Sequence, residues 1–487
     1  MILFKNTKFL FTALFLILIL NQYDDSFAKP KKGKQAPAAV RTTGESMTGS
    51  IEWNVVMHDD NNNEKLSKQF RTWWYVRLDG VIKGDESVIH IQGDGFKGGV
   101  IVVPVYSYDN KTWHRFNPKD ITSDEKTDGF YNYTIRKEFT VSGKVWIARY
   151  YPYQYSRLEN LLKKYKKDKF AKIEKIGTSA QGRAIKMISI TDPSYPDKNK
   201  RRVWIHSRTH PSETGSSFII EGLIDYLLSK STKCSGIAAL DKIIYNIVPM
   251  VNVDAVVIGN ARVSPGTSFD LERMWFRDKK NPYELRDTCP PEVKAMHKAI
   301  KRLNKKGPAF FAALNIHSKN AAPLWRSFIY TNFYSNFDKK NKVYGEQGDS
   351  MFVKQLMFAK LMTDAMCKDS FYVRPSFESN APISKKTFPE AWWWVNYKDK
   401  VMAATLETTS GVDGCYEEWI TYKDHFHMGR TIAEAMKMLS KYYVEKEWFR
   451  YENPPGKMKD LLPYYRYGKK NGRTSDTKKK RLKSEEK

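Results

Sequence analysis

The chain has 487 residues, 41% of them hydrophobic and 14% aromatic, which is enough apolar material for several cores and excludes a wholly disordered protein. Lys and Arg number 82 against 54 Asp and Glu, giving a net charge of +28. That balance suits nucleic acid, an anionic surface or acidic substrates, and by itself selects none of them.

The first predicted element is a leader. Lys5 and Lys8 precede an apolar run over residues 9–20 that only Thr12 interrupts, and a polar stretch then ends at Ser26-Phe27-Ala28. The run is short for a membrane span and suits the core of a secretory signal over residues 1–28. Asp24 and Asp25 are unusual beside a cleavage site, so an uncleaved N-terminal anchor stays open as the alternative. Nothing downstream reads as a transmembrane helix, and the expectation is an exported protein, periplasmic or secreted. In an oxidising compartment Cys234, Cys289, Cys367 and Cys415 have three complete pairings between them, which spacing does not separate. No two of them have C-x-x-C spacing.

Residues 29–47 are rich in Pro, Lys and Ala without periodicity and read as a disordered linker. Residues 48–151 carry short alternating runs such as SVIHIQGDG and YNYTIRKEFTV, separated by Gly, Asp and Asn. That spacing predicts an antiparallel β-sandwich. From 152 to 447 apolar strands alternate with helical patterns, which predicts an α/β domain: a mixed sheet flanked by helices. In SSFIIEGLIDYLLSK the residues Phe218/Ile219, Gly222/Leu223 and Tyr226/Leu227 recur at helical spacing and give one buried face. Residues 448–487 form a basic extension; the part from 466 onward holds ten basic and three acidic residues and reads as a solvated tail. The tail lacks interleaved aromatics for base stacking, so nucleic acid is not expected as a partner.

His210-Pro211-Ser212-Glu213 follows a predicted strand and opens a helix. Imidazole nitrogen and carboxylate oxygen are both zinc donors, but one His-x-x-acid pair arises readily by chance in a chain of this composition. Two further strand ends strengthen it: AFFAALNI ends directly at His317, and VMAATL ends directly at Glu407. Open α/β sheets place their sites outside the carboxyl ends of strands. Together these predict one catalytic Zn2+ held by two His and one Glu, with Glu407 as general base for the attacking water.

With these residues in place, the chain resembles the zinc metallocarboxypeptidase family, and most closely its cytosolic-carboxypeptidase-like branch. The resemblance runs from about Phe70 to Ser440 and rests on YYPYQYSRLENLL, IGTSAQGRAIKMISI, HPSETGSSFIIEGLIDYLL, IVPMVNVDAVVIGNAR, DLERMW, NIHSKN and TLETTSG, in the family's order. It implies a metallocarboxypeptidase-like fold preceded by the branch's small β-domain. It implies zinc ligation by His210, Glu213 and His317, and activation of water by Glu407. By the same resemblance Arg262 stabilises the oxyanion, Arg273 clamps the substrate's terminal carboxylate and Arg183 lines the approach. Two departures stand out. Glu272 occupies the place of the family's Asn before the clamping arginine, where it would repel a carboxylate unless protonated or neutralised by Arg273, favour a cationic group, or turn away. NVDA (252–255) replaces the family's NPDG turn. Trp392–Trp394 read as core or as a pocket wall. The expected function is an exported zinc carboxypeptidase acting on peptides with a free C-terminus, acidic or cell-wall peptides among them. The alternative is an inactive carboxypeptidase-fold protein that binds anionic polymer.

Overall fold

Strands that bury one face alternate their side chains, and the N-terminal part of the chain is built almost wholly from such runs. The computed structural model of the chain describes residues 41–45, 50–95, 102–123, 131–230, 233, 238–275, 285–319, 327–330, 345–366, 374–376, 388–413 and 418–444. All belong to one unit, Pro37–Lys487. The expected leader over residues 1–28, the basic extension over 448–487, and Cys234, Cys367 and Cys415 lie outside the described residues.

Nine strands come first: β1 (Arg41–Glu45), β2 (Ser50–Val56), β3 (Tyr75–Val81), β4 (Glu86–Asp94), β5 (Val105–Ser107), β6 (His114–Arg115), β7 (Ile121–Ser123), β8 (Tyr131–Glu138) and β9 (Gly143–Ala148). They form one sheet in the order β1-β2-β4-β8-β7 and a second in the order β3-β9-β5-β6. Trp53, Ile89 and Ile135 from the first sheet share a core cluster with Leu78, Val145 and Ile147 from the second. The expectation of purely antiparallel pairing is corrected at β2 and β4, which run parallel. The cause is that β3, which lies between them in sequence, joins the other sheet, so the chain re-enters the first sheet in its original direction. The linker expectation is corrected too: Arg41–Glu45 pairs with β2 as an edge strand.

The second part runs α1 (Tyr155–Tyr165), β10 (Ala171–Thr178), β11 (Ala184–Ile190), β12 (Arg201–Ser207), α2 (Thr214–Leu227), β13 (Ile243–Val248), α3 (Val253–Ile258), α4 (Pro291–Lys306), β14 (Phe310–Lys319), β15 (Phe328–Tyr330), α5 (Gly345–Met366), β16 (Arg374–Ser376), α6 (Pro389–Tyr397), β17 (Met402–Thr409) and α7 (Tyr422–Val444). The sheet order is β10-β11-β13-β12-β14-β17-β15-β16. Its centre, β13-β12-β14-β17, is parallel, while β11 meets β13 and β15 meets β17 antiparallel. Central strands covered on both faces read as continuous apolar runs, and every residue of β13 is buried. Trp392, Trp393 and Trp394 on α6 belong to the main core. Among the described residues no helix is long and apolar enough to cross a membrane. Cys289 is a buried, free thiol, so none of the three complete cysteine pairings forms.

Candidate metal centre

The parallel strands β12, β14 and β17 finish on one side of the sheet. β12 stops at Ser207, and Arg208 then takes a left-handed backbone conformation with φ 57°. A long side chain rarely does so. Here the buried guanidinium holds the turn by donating to the carbonyls of Pro211 (2.7 Å) and Tyr153 (3.2 Å) and to Ser217 Oγ (2.9 Å). That turn delivers His210 and Glu213 to the start of α2. The expectation that strands end at His317 and Glu407 is corrected by two residues, because β14 and β17 continue to Lys319 and Thr409. The two side chains still share a face, since His317 and Glu407 are directly in register.

His210 Nδ1 lies 2.8 Å from Glu213 Oε1, and His317 Nδ1 lies 2.7 Å from Glu213 Oε2. The imidazole centres are 4.7 Å apart. All three side chains are buried, and one donor atom from each lies within 4.8 Å of the others. Two imidazole nitrogens and one carboxylate oxygen, gathered in a spot shielded from water, fit the donor set of a catalytic zinc.

The outer nitrogens are also held. Asp270 Oδ1 is 3.1 Å from His210 Nε2, and Glu272 Oε2 is 3.3 Å from His317 Nε2. With a metal bound, a carboxylate there would keep the proton on Nε2 and leave the Nδ1 lone pair to the ion. Glu272 lies in the 3-10 turn Leu271–Arg273, which Asp270 caps by accepting the Glu272 N–H at 3.1 Å. Glu272 Oε1 accepts from Asn315 Nδ2 at 2.6 Å.

Charge follows from this arrangement. Burial, and then Arg262, push the His210 imidazole down to about 4. Burial also disfavours charge on His317, but Glu213 and Glu272 outweigh it and hold that imidazole well above its ordinary value. Burial works to raise Glu213, and the two imidazoles outweigh it, keeping the carboxylate well below its ordinary range. Glu390 accepts from Thr405 Oγ1 at 2.5 Å, and burial followed by the nearby Glu272 raises it to about 7.

The predicted arginines divide. Arg262 Nη1 is 3.2 Å from His210 Nδ1, while its Nε and Nη2 donate to Asp270 Oδ2 at 3.1 and 2.9 Å. The Glu407 charge also acts on this guanidinium. Arg273 pairs with the same Asp270 and lies over the Phe388 ring at 5.5 Å, its side chain 50% exposed. Arg183 donates to Asp254 Oδ1 and Gln181 Oε1, both at 2.7 Å, and so ties the β10–β11 hairpin to α3. Glu272, expected against substrate, has its two oxygens on Asn315 and His317. Sequence reasoning passed over Asp270, Arg208 and Glu390. Only Asp270 left a local signal, as an N-cap acid at the head of DLERMW.

A family model described as zinc carboxypeptidase matches residues 155–412. Cytosolic carboxypeptidase 6 of Mus musculus is 25% identical over 386 residues, which cover 75% of this chain and 65% of that protein, so the match spans less than two thirds of its length. Its Homo sapiens counterpart is 25% identical over 377 residues, covering 72% of this chain and 68% of that one. Among solved structures, a metallo-carboxypeptidase from Burkholderia cenocepacia superposes with a TM-score of 0.63 at 18% identity, over 85% of this chain and 98% of that chain. One from Pseudomonas aeruginosa gives 0.63 at 18%, over 82% and 96%. At such identity these two speak for the fold.

Proposed function

The chain belongs to the zinc carboxypeptidase family, and from that premise we propose that it hydrolyses the C-terminal peptide bond of peptide substrates at the cluster His210, Glu213 and His317. The observation that carries this reading is the convergence of those three buried donors, with Glu407 in register beside His317. Zinc, when bound, supplies Lewis-acid polarisation of a carbonyl and makes water more acidic. Glu407 accepts the proton of the attacking water and hands it to the leaving amine. Arg262, close to His210 and on the same side, donates N–H to the carbonyl oxygen as it gains negative charge. Arg273 keeps half of its side chain open and offers a planar fork to the terminal carboxylate.

Export and substrate choice are part of the same proposal. The basic, apolar, small-residue pattern over residues 1–28 supports secretion, and N-terminal sequencing of the mature protein tests it. The relatives are named cytosolic carboxypeptidases; the leader is where this chain departs from that name. The net charge of +28 supports acidic peptides as substrates, and export supports cell-wall stem peptides.

The test is release of C-terminal amino acids from glutamate-tailed, neutral and stem peptides, with and without a chelator. Release that stops on chelation and returns with zinc is expected. Glu407→Gln should lower kcat by about 10²–10⁴-fold with zinc still bound. Undiminished turnover in that variant, or no release from any peptide by the wild type, contradicts the reading and returns the chain to the role of a polymer-binding protein.

A further inference from the structure

Arg262 sits in a stretch, residues 259–268, that no strand or helix of the α/β part includes. What holds it comes from the connection between β2 and β3 in the N-terminal β-region. After β2 the chain makes a tight turn at Asp60–Asn62 in which Asn61 and Asn62 both have left-handed backbones, φ 58° and 54°. The turn aims the buried Asp60 carboxylate at three consecutive backbone amides: Oδ1 accepts from Ala261 N–H at 2.7 Å, and Oδ2 accepts from Arg262 at 2.6 Å and Val263 at 2.8 Å. Successive amides turned toward one anion form a nest, and here the anion is a side chain from 201 residues upstream. Asn61 Nδ2 donates to the carbonyls of Ser264 and Thr267, each at 2.9 Å, and Asn61 Oδ1 accepts from Asn260 Nδ2 at 3.0 Å. Phe70 lies under the Arg262 guanidinium at 5.0 Å. Thr72 Oγ1 is 3.2 Å from Ser212 Oγ, inside the His-Pro-Ser-Glu segment.

We propose that Asp60 is a positioning residue for Arg262, and that the N-terminal β-region completes the active site instead of serving as an appended binding module. The proposal rests on the carboxypeptidase reading for its effect on rate. The physical reason is tolerance. An oxyanion donor works only within a few tenths of an ångström, and a 1 Å displacement costs on the order of 10²-fold. A segment without regular structure does not hold that precision by itself. A buried carboxylate fixing three adjacent amides does.

The experiment uses the full-length zinc-loaded enzyme. In Asp60→Asn an amide replaces the acceptor pair and presents a donor to at least one of the three N–H groups. The expected result is a fall in kcat of about 10- to 100-fold with zinc content and KM changed less than about twofold. In an Arg262→Ala background the same change should cost less than about threefold, because the group through which it acts is gone. Hydrogen exchange at residues 261–263 should quicken while β12 stays protected. If Asp60→Asn does not fold, Asn61→Ala carries the test, with the same pattern at about 3- to 10-fold. Equal losses with and without Arg262, or unchanged kcat, overturn the proposal. Should the wild type release nothing from peptides, exchange at 261–263 remains the readout, and unaltered protection there sinks the Asp60 role separately from the proposed activity.

Discussion

Glu272 stands where the resembled family carries Asn, and the groups around it decide what the exchange means. An exposed carboxylate beside the clamp would repel the substrate's terminal carboxylate. In the structure, however, Oε1 is taken by Asn315 Nδ2 and Oε2 faces His317 Nε2. The charge therefore acts on the metal side, where a carboxylate on the outer nitrogen raises the basicity of a histidine ligand. Glu272→Gln keeps the shape and removes the charge, and should weaken zinc binding by about 10- to 100-fold in competition with a chelating dye. Unchanged zinc affinity with a large shift in KM would place Glu272 on the substrate instead. His317 and Glu407 were legible because each closes an apolar run, and His210 and Glu213 because they form a His-x-x-Glu pair just past β12; His and Glu so placed suffice to suggest a metal. Asp270 was not, because its partners His210, Arg262 and Arg273 meet it only after the turn at Leu271–Arg273 has folded.

The helices show a different kind of legibility. The apolar face of α2 was evident from helical spacing, and Gly222 lay within it. Spacing alone did not reveal why a glycine belongs there. A Cβ on Gly222 would fall on three backbone atoms of Phe426 in α7, and one on Gly429 would meet the backbone of Ile219 and Leu223. The two helices thus cross in contact through their main chains. Gly222→Ala gains ~1 kcal/mol in helix propensity. Overpacking costs about 1–3 kcal/mol, and the upper end applies because backbone, unlike a side-chain tip, has little room to yield. A net loss of about 1–2 kcal/mol in urea unfolding is expected. A variant as stable as the wild type would mean that the helices can separate at little cost. Since α2 begins at Thr214, directly after Glu213, a shift of this helix also disturbs the metal cluster.

At the scale of the whole molecule the largest unexplained quantity is charge. A net +28 draws anionic ligands from a distance, and salt screens such attraction over about 8 Å at physiological strength. If acidic peptides are substrates, kcat/KM for a glutamate-tailed peptide should fall roughly 10-fold between low and high salt, with a neutral peptide changing less than about twofold. Equal salt responses would assign the charge to some other task. The sequence by itself determined the alternation of strands and helices and the residue types at strand ends. Those are local properties, written in periods of two and 3.6 and in punctuation by Gly, Asp and Pro. Tertiary structure decided what separate stretches do to one another: β1 pairing with β2 although it lies in the predicted linker, Cys289 left as a free thiol, and Asp60 gripping the backbone of Arg262. Contacts between residues hundreds of positions apart leave no periodic trace, because each partner is free to be any residue that fits once the chain has brought the two together.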